Sequence, residues 1–251
     1  MAHIIEVKNL FKKYGDFTAV NDISFSVEEG EIFGILGPNG AGKTTTLEMM
    51  EGLKKPTSGS ITLDGLDVER ETDEVKARIG VQLQSSTFFE ALTLVELLET
   101  FGAMYGREVD AMKLLDEVQL TEKAQNQAKE LSGGQRQRLS IAIGLVNDPR
   151  VLFLDEPTTG LDPQARRNLW DLIEQIQKSG KTVIITTHYM DEAEVLCDRI
   201  AIMDHGEIKT LETPEKLIEN LLATGFTKPV IQQQANLEDV FLSMTGHALR
   251  D

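Results

Sequence analysis

The 251-residue sequence contains one cysteine, Cys197, so an internal disulfide is excluded. A lone thiol agrees with a reducing compartment, and a small buried apolar role accounts for it without any reactivity. Long apolar runs are missing too, and none approaches the roughly 20 residues that a helix needs to cross a bilayer. The start, Met1-Ala2-His3-Ile4-Ile5-Glu6, lacks the basic-then-apolar layout of a signal peptide, so the chain is expected to stay in the cytosol. Positive charge is scarce: 25 Lys and Arg stand against 41 Asp and Glu, a formal net charge of −16. Such a surface repels polyanions, which weighs against nucleic acid as the main partner and against direct docking on anionic lipid. Work at a membrane would need another protein to hold the chain there. The acids are spread along the chain, so solubility accounts for most of them. Internal repeats, low-complexity tracts and flexible linkers are absent from the pattern.

What is present is the 41% hydrophobic, 26% charged composition of a soluble globular protein, long enough for one large domain or two intimately packed ones. From Ile4 to Leu63 the pattern predicts short strands, at Ile4–Val7, Ile23–Val27, Ile32–Leu36 and Ile61–Leu63, with a helix over Lys43–Glu51 stopped by Gly52. Ile79–Leu83 is one more strand. Leu92, Leu94, Val95, Leu97, Leu98 and Phe101, then Met112, Leu114, Leu115 and Val118, have helical spacing, which predicts a helical insert over 84–146. Alternation of strand and helix follows: Val151–Leu154, Gln164–Ser179, Thr182–Thr186, Met190–Leu196, Arg199–Met203. A hairpin at His205-Gly206 leads into Glu207–Leu211, Thr213-Pro214 opens a helix to Asn220, and Leu237–Thr245 closes the chain as a short helix.

Three patterns carry chemistry. Gly37-Pro38-Asn39-Gly40-Ala41-Gly42-Lys43-Thr44, after the apolar Ile32–Leu36, has the spacing of a phosphate-binding loop: backbone N–H groups and a helix start converge where phosphates sit. Lys43 would reach the β- and γ-phosphates, and the Thr44 hydroxyl would coordinate magnesium. Val151-Leu152-Phe153-Leu154-Asp155-Glu156 ends a buried strand on two carboxylates, Asp155 to steer magnesium and Glu156 to polarise the attacking water. Leu131-Ser132-Gly133-Gly134-Gln135 opens a helix with an N-cap and two bare glycine amides, a second anion-ready helix start.

Together, and in this order, the three resemble the ATP-binding-cassette family, the ATPase subunits of membrane transporters, and the likeness runs from Val7 to about Leu242. It implies an α/β P-loop NTPase with a mainly parallel core sheet, an N-terminal antiparallel β subdomain and an inserted α-helical subdomain. The chain would be one such domain over 1–251: the nucleotide-binding core with its β subdomain in 1–83 and 147–222, the helical subdomain in 84–146, a C-terminal extension in 223–251. Carried over by motif, Tyr14 would stack on adenine, the loop from Gly37 to Thr44 with Thr45 would bind ATP, and Thr44, Gln84 and Asp155 would hold magnesium. Gln82 competes with Gln84 for that place. Glu156, His188 and Gln84 would serve hydrolysis, Asp162 would cross between subunits, and Ser132, Gly133, Gly134 and Gln135 would contact ATP held by another copy. His3, His205 and His247 receive no role.

The resemblance further implies a head-to-tail pair of subunits, two copies of this chain or this chain with a homologue, with ATP in the joint. An integral membrane permease would dock near 84–90 and hold the ATPase at the inner face of the cell membrane. Leu161-Asp162-Pro163-Gln164-Ala165-Arg166-Arg167, the run Thr187-His188-Tyr189-Met190-Asp191-Glu192-Ala193-Glu194 and Leu237-Glu238-Asp239-Val240-Phe241-Leu242 resemble exporters of drugs, antibiotics or polysaccharides, and the long C-terminal regulatory domain of sugar importers is not seen. Two alternatives remain open. A soluble cassette ATPase acting on ribosomes or DNA usually carries tandem cassettes or basic arms, and a GTP-binding switch would lack the pattern at Ser132.

Overall fold

The computed structural model describes residues 3–82, 88–89, 91–227 and 244. The chain divides into two compact units, residues 1–214 and 215–251. The first begins with a long hairpin, β1 (His3–Tyr14) and β2 (Phe17–Glu28); β3 (Ile32–Leu36), buried along its whole length, then leads into α1 (Lys43–Met50). β4 (Ser58–Leu63), β5 (Leu66–Asp67), α2 (Thr72–Lys76) and β6 (Ile79–Gln82) follow. Next come α3 (Leu94–Met104), α4 (Ala111–Glu117), two 3₁₀ turns and α5 (Gly133–Leu145). The alternating part is β7 (Val151–Asp155), α6 (Pro163–Lys178), β8 (Thr182–Thr187), α7 (Met190–Leu196), β9 (Arg199–Asp204) and β10 (Glu207–Glu212). After β10, α8 (Pro214–Ala223) starts on the expected proline, the last residue of the first unit.

Two sheets result. One is antiparallel in the order β2-β1-β4-β5; the other runs β10-β9-β3-β8-β7-β6, parallel except for the β10–β9 hairpin at its edge. The mainly parallel core, the antiparallel N-terminal sheet and the helices between β6 and β7 are the architecture the motifs implied. β1 and β2 are far longer than the alternation suggested because bulges interrupt it. Register shifts lie between Val7 and Leu10, where Asn9 sits at φ +47°, its amide donating to Ser24 Oγ at 2.8 Å. An extra residue flips the faces, so a pattern search sees the strand end where it only bends.

Stacked rings of Phe25 and Phe33, 5.3 Å apart and 4° from parallel, join the two sheets. Around them Ile5, Val7, Leu47, Met50 and Phe153 pack into one core, each fully buried side chain stabilising the fold by about 1.5–3 kcal/mol. The helical stretch is tied down locally: Thr93 caps α3 in a reciprocal box with Glu96, and Leu94, Leu97 and Leu98 are buried at helical spacing. What the parallel sheet does for function is set by register. Leu36 pairs with Thr187 and Asp155 with Thr186, so the carboxyl ends of β3, β7 and β8 lie side by side and the loops leaving them share one crevice.

Candidate functional site

The loop between β3 and α1 wraps the start of α1, whose first N–H groups have no carbonyl inside the helix to bond. Two of its glycines are required by space and by backbone. A Cβ on Gly37 would lie 2.2 Å from the Met203 carbonyl oxygen, and Gly42, at φ +105°, would bring one within 2.5 Å of the Ala19 carbonyl oxygen. The crest of the loop, Pro38, Asn39 and Gly40, is exposed, while Ala41 is buried beneath it. Lys43 is folded inward, 5% exposed, its Nζ donating to the carbonyls of Gly37 at 2.9 Å and Pro38 at 3.1 Å. The same Nζ lies 3.3 Å from Glu156 Oε1. Thr45 follows Thr44 in the first turn of α1.

Across the crevice, β7 delivers both carboxylates. Thr44 Oγ1 donates to Asp155, 3.2 Å from Oδ2, and Thr186 Oγ1 donates to Asp155 Oδ1 in a short hydrogen bond. Burial pushes the Asp155 carboxyl above the usual range against those two hydroxyls. Glu156 occupies a left-handed backbone position, φ +47°, pinned by its amide to Thr186 at 3.1 Å. Burial works to raise its carboxyl too, but His188, with Nδ1 3.2 Å from Oε2, and Lys43 outweigh that and hold it below the ordinary range. Glu156 is therefore an anion and a hydrogen-bond acceptor at neutral pH, fixed between an imidazole and an ammonium. Thr186 is a functional neighbour that no motif signals; the pattern places it only as the last residue of the strand Thr182–Thr186.

Glu51, which the pattern makes the last residue of the helix, is the C-cap of α1. It is buried, with neither carboxylate oxygen hydrogen-bonded among the described residues, and burial, with Asp155 and Glu48 nearby, lifts its carboxyl to about 8. Nothing in its sequence context signals this.

The second helix start lies elsewhere on the unit. Ser132 caps α5 through a box with Gln135: Ser132 Oγ accepts from the Gln135 amide at 3.3 Å, and Gln135 Oε1 accepts from the Ser132 amide at 2.9 Å. Ser132 and Gly133 are exposed. Gly134 faces Ala165 on α6, whose own N-cap is Asp162, its Oδ1 accepting from the Ala165 amide at 2.8 Å. Gln137, one turn into α5, donates to the Pro157 carbonyl at 2.7 Å and so ties this helix to the segment after Glu156. Among the described residues no hydrogen bond or ion pair joins Ser132, Gly133, Gly134 or Gln135 to the loop at Lys43.

Tyr14 ends β1 with its ring 42% exposed, Lys12 Nζ 5.0 Å and Lys54 Nζ 5.9 Å from the ring centre. Gln84, the segment at 84–87 with Glu90, and the helix expected over 237–245, apart from Met244, lie outside the described residues. Gln82 is buried at the end of β6. For a divalent cation the crevice offers the Thr44 hydroxyl and Asp155, and among the described residues no group of three or more His, Cys, Asp or Glu could hold an ion unaided. That hard, sparse oxygen set fits magnesium, which keeps waters and takes phosphate oxygens as ligands, better than an ion needing a full protein cage. No helix among the described residues is long and apolar enough to cross a membrane.

Comparison with known proteins agrees with this geometry. The family model for ABC transporters matches residues 20–159. The chain is 42% identical over 248 residues to the Nod factor export ATP-binding protein I of Burkholderia orbicola (strain AU 1054), covering 97% of this chain and 82% of that protein. It is 42% identical over 223 residues to the linearmycin resistance ATP-binding protein LnrL of Bacillus subtilis (strain 168), covering 87% and 72%. Among solved structures it resembles cbiO1 from Clostridium perfringens, part of the ABC transporter complex cbiONQ, with TM-score 0.80, 30% identity and coverage of 87% and 92%. A dimeric ATP-binding cassette in a post-hydrolysis state, bound to ADP and Pi, aligns with TM-score 0.74, 29% identity and coverage of 84% and 98%.

Proposed function

Because the chain belongs to the ABC transporter family, we propose that it is the ATP-hydrolysing subunit of a membrane exporter and that its ATP sites are completed by a second copy of the chain or by a homologous subunit. The observation that carries the reading is the contact of buried Lys43 and Glu156 with half-buried His188 beside the Thr44–Asp155 pair, at the carboxyl ends of neighbouring parallel strands.

Lys43 would exchange its loop carbonyls and Glu156 for the β- and γ-phosphates, and the backbone of Gly40, Ala41, Gly42, Thr44 and Thr45 would bind the same oxygens, the Ala41 N–H leaving the Pro38 carbonyl to which it donates at 3.2 Å. Tyr14 offers a flat, exposed ring for adenine to stack on. Thr44 and Asp155, with Gln84, would hold magnesium, which would neutralise phosphate charge when bound. Once Lys43 has turned away, Glu156 accepts the proton of a water aligned with the γ-phosphorus, and His188, still against its other oxygen, orients it.

Gly133 and Gly134 present bare amides beside the Ser132 hydroxyl at an exposed helix start, which suits the γ-phosphate of ATP held by another copy. Asp162, at the neighbouring helix start, would cross between the two copies on this reading. The names of the relatives, a Nod factor exporter subunit and a linearmycin resistance subunit, support export as the direction, with a membrane-embedded permease as the partner that keeps this chain at the inner face of the cell membrane. The helical subdomain over 84–146, the core over 1–83 and 147–222 and the extension over 223–251 are the division of labour that goes with this reading. Its test is the ATPase rate of the purified chain against Glu156→Gln. Turnover lost with ATP still bound is expected; equal turnover in the two would end the proposal.

A further inference from the structure

Helix α7 begins on Tyr189, an N-cap whose side chain closes no cap hydrogen bond. Ser, Thr, Asp or Asn is the usual choice there, because a short polar side chain can accept from the helix's first amides. Tyrosine forgoes that bond, which leaves its ring to be explained by what it touches. One neighbour is the imidazole of His188, with ring centres 4.2 Å and planes 38° apart. The other is the Arg166 guanidinium, whose carbon lies 4.5 Å from the Tyr189 ring centre, within reach of cation–π attraction.

Arg166 is held in that place from outside. Its Nη1 donates to Asp191 Oδ2 at 3.2 Å, while its Nε is out of water with no hydrogen-bond partner among the described residues. A guanidinium that leaves a donor unused and lies over a ring is engaged through its flat face. Helices α6, which carries Arg166, and α7 are tied to each other by buried Glu192, whose Oε1 accepts from the Trp170 indole at 3.1 Å. The backbone beside His188 is fixed as well, the Tyr189 amide donating to the Thr187 hydroxyl at 3.0 Å. Contacts thus run in line from Asp191 through Arg166, Tyr189 and His188 to Glu156, ending at the 3.2 Å approach of His188 Nδ1 to Glu156 Oε2. The His188 side chain is 30% exposed, so its angle depends on what packs against its inner side.

We propose that Tyr189, backed by Arg166, is a positioning residue: its ring is the wall that keeps the His188 imidazole turned onto Glu156 for ATP hydrolysis. This rests on the ATPase reading above, in which Lys43 leaves Glu156 for phosphate and the imidazole stays. Phenylalanine serves equally as a wall, whereas leucine fills the space without a flat face for the imidazole or a π-system for the guanidinium.

The test is steady-state ATP turnover of wild type, Tyr189→Phe, Tyr189→Leu, Arg166→Ala, His188→Ala and the double variant His188→Ala/Tyr189→Leu, with melting temperatures alongside. Tyr189→Leu is expected to lower kcat about tenfold with KM for ATP within about twofold, because a displaced group at the reacting centre costs rate more than binding. Arg166→Ala should lower kcat about threefold, and Tyr189→Phe should stay within about twofold of wild type. In the double variant the leucine should add no more than about a twofold loss to that of His188→Ala, since a residue that acts through the imidazole has nothing to act on once it is gone. Wild-type kcat in Tyr189→Leu, its full loss repeated on top of His188→Ala, or a kcat loss that only follows a fall in melting temperature would overturn the proposal. If Tyr189→Leu does not fold, Arg166→Ala with and without His188→Ala decides it, and the same loss in both backgrounds would sink it. If His188→Ala turns over too slowly to measure, the comparison of Tyr189→Leu with Tyr189→Phe decides, and equal rates in those two count against the wall. A wild-type chain without turnover would overturn the ATPase reading and this inference with it, whereas an active wild type with an equally active Tyr189→Leu overturns this inference alone.

Discussion

The two anion-ready helix starts of this chain, at α1 and at α5, differ in what stands around them. At α1 a buried lysine, two buried carboxylates and the buried Thr186 hydroxyl are packed together, with half-buried His188 and exposed Thr44 against them. At α5 the cap is self-satisfied, exposed and free of charged partners in its hydrogen bonds. The first is equipped to bind and to react. The second is equipped only to bind, and only something brought to it. On the proposed reading the two are halves of one site, which a head-to-tail pair of subunits would bring together in different copies.

The contrast can be broken most severely at the buried half. Lys43→Ala is expected to abolish turnover and weaken ATP binding together, while Glu156→Gln lowers kcat by about 10²–10⁴ and spares binding, the loss typical of removing a general base. Steady-state rates with a fluorescent-nucleotide titration read both. At the exposed half, Ser132→Arg should reduce turnover on a similar scale and leave ATP affinity of the isolated chain within about twofold, because the arginine obstructs a surface used only by the other copy's nucleotide.

A pH series sharpens the difference through Glu51, which belongs to the buried half. Its carboxyl titrates near 8 in the folded chain against 4.5 when exposed, so between those values the folded chain holds a proton the unfolded chain has released. The stability it contributes is full below about pH 4.5 and declines as pH rises through 8. Glu51→Gln should melt close to wild type at pH 5 and well above it at pH 9, by up to about 4 kcal/mol. A melting-temperature difference that stays flat with pH would show that the group is not buried in its charged form. The smallest effect is again at the exposed half: Ser132→Ala removes a cap worth about 1 kcal/mol, a shift of about 2–4 °C in a thermal melt.

Much of this was legible in the sequence. α7 spans the seven residues expected of it, and α1, β7, α6, β8 and β9 begin and end within one residue of their expected bounds, because the parallel core consists of continuous apolar strands and capped helices. Lys43, Thr44, Asp155, Glu156 and His188 meet as the motifs implied, and Ser132 caps its helix as expected. The rest was hidden for physical reasons. Bulges concealed the length of β1 and β2. Glu51 and Glu192 read as ordinary helix acids, since burial of a carboxylate depends on which segments pack over it, and that is a property of tertiary structure. Thr186 carries no signal of its own because a strand-end threonine is common wherever β-branched residues are favoured.

The claim that the site is completed by a second copy is tested most directly by measuring ATP-dependent association of Glu156→Gln, with and without Ser132→Arg, by sedimentation or light scattering at saturating ATP. Glu156→Gln alone should form a stable dimer on ATP, and the double variant should bind ATP as tightly yet remain a monomer. A double variant that still dimerises, or that loses ATP as an isolated chain, would contradict the division of the site between α1 and α5.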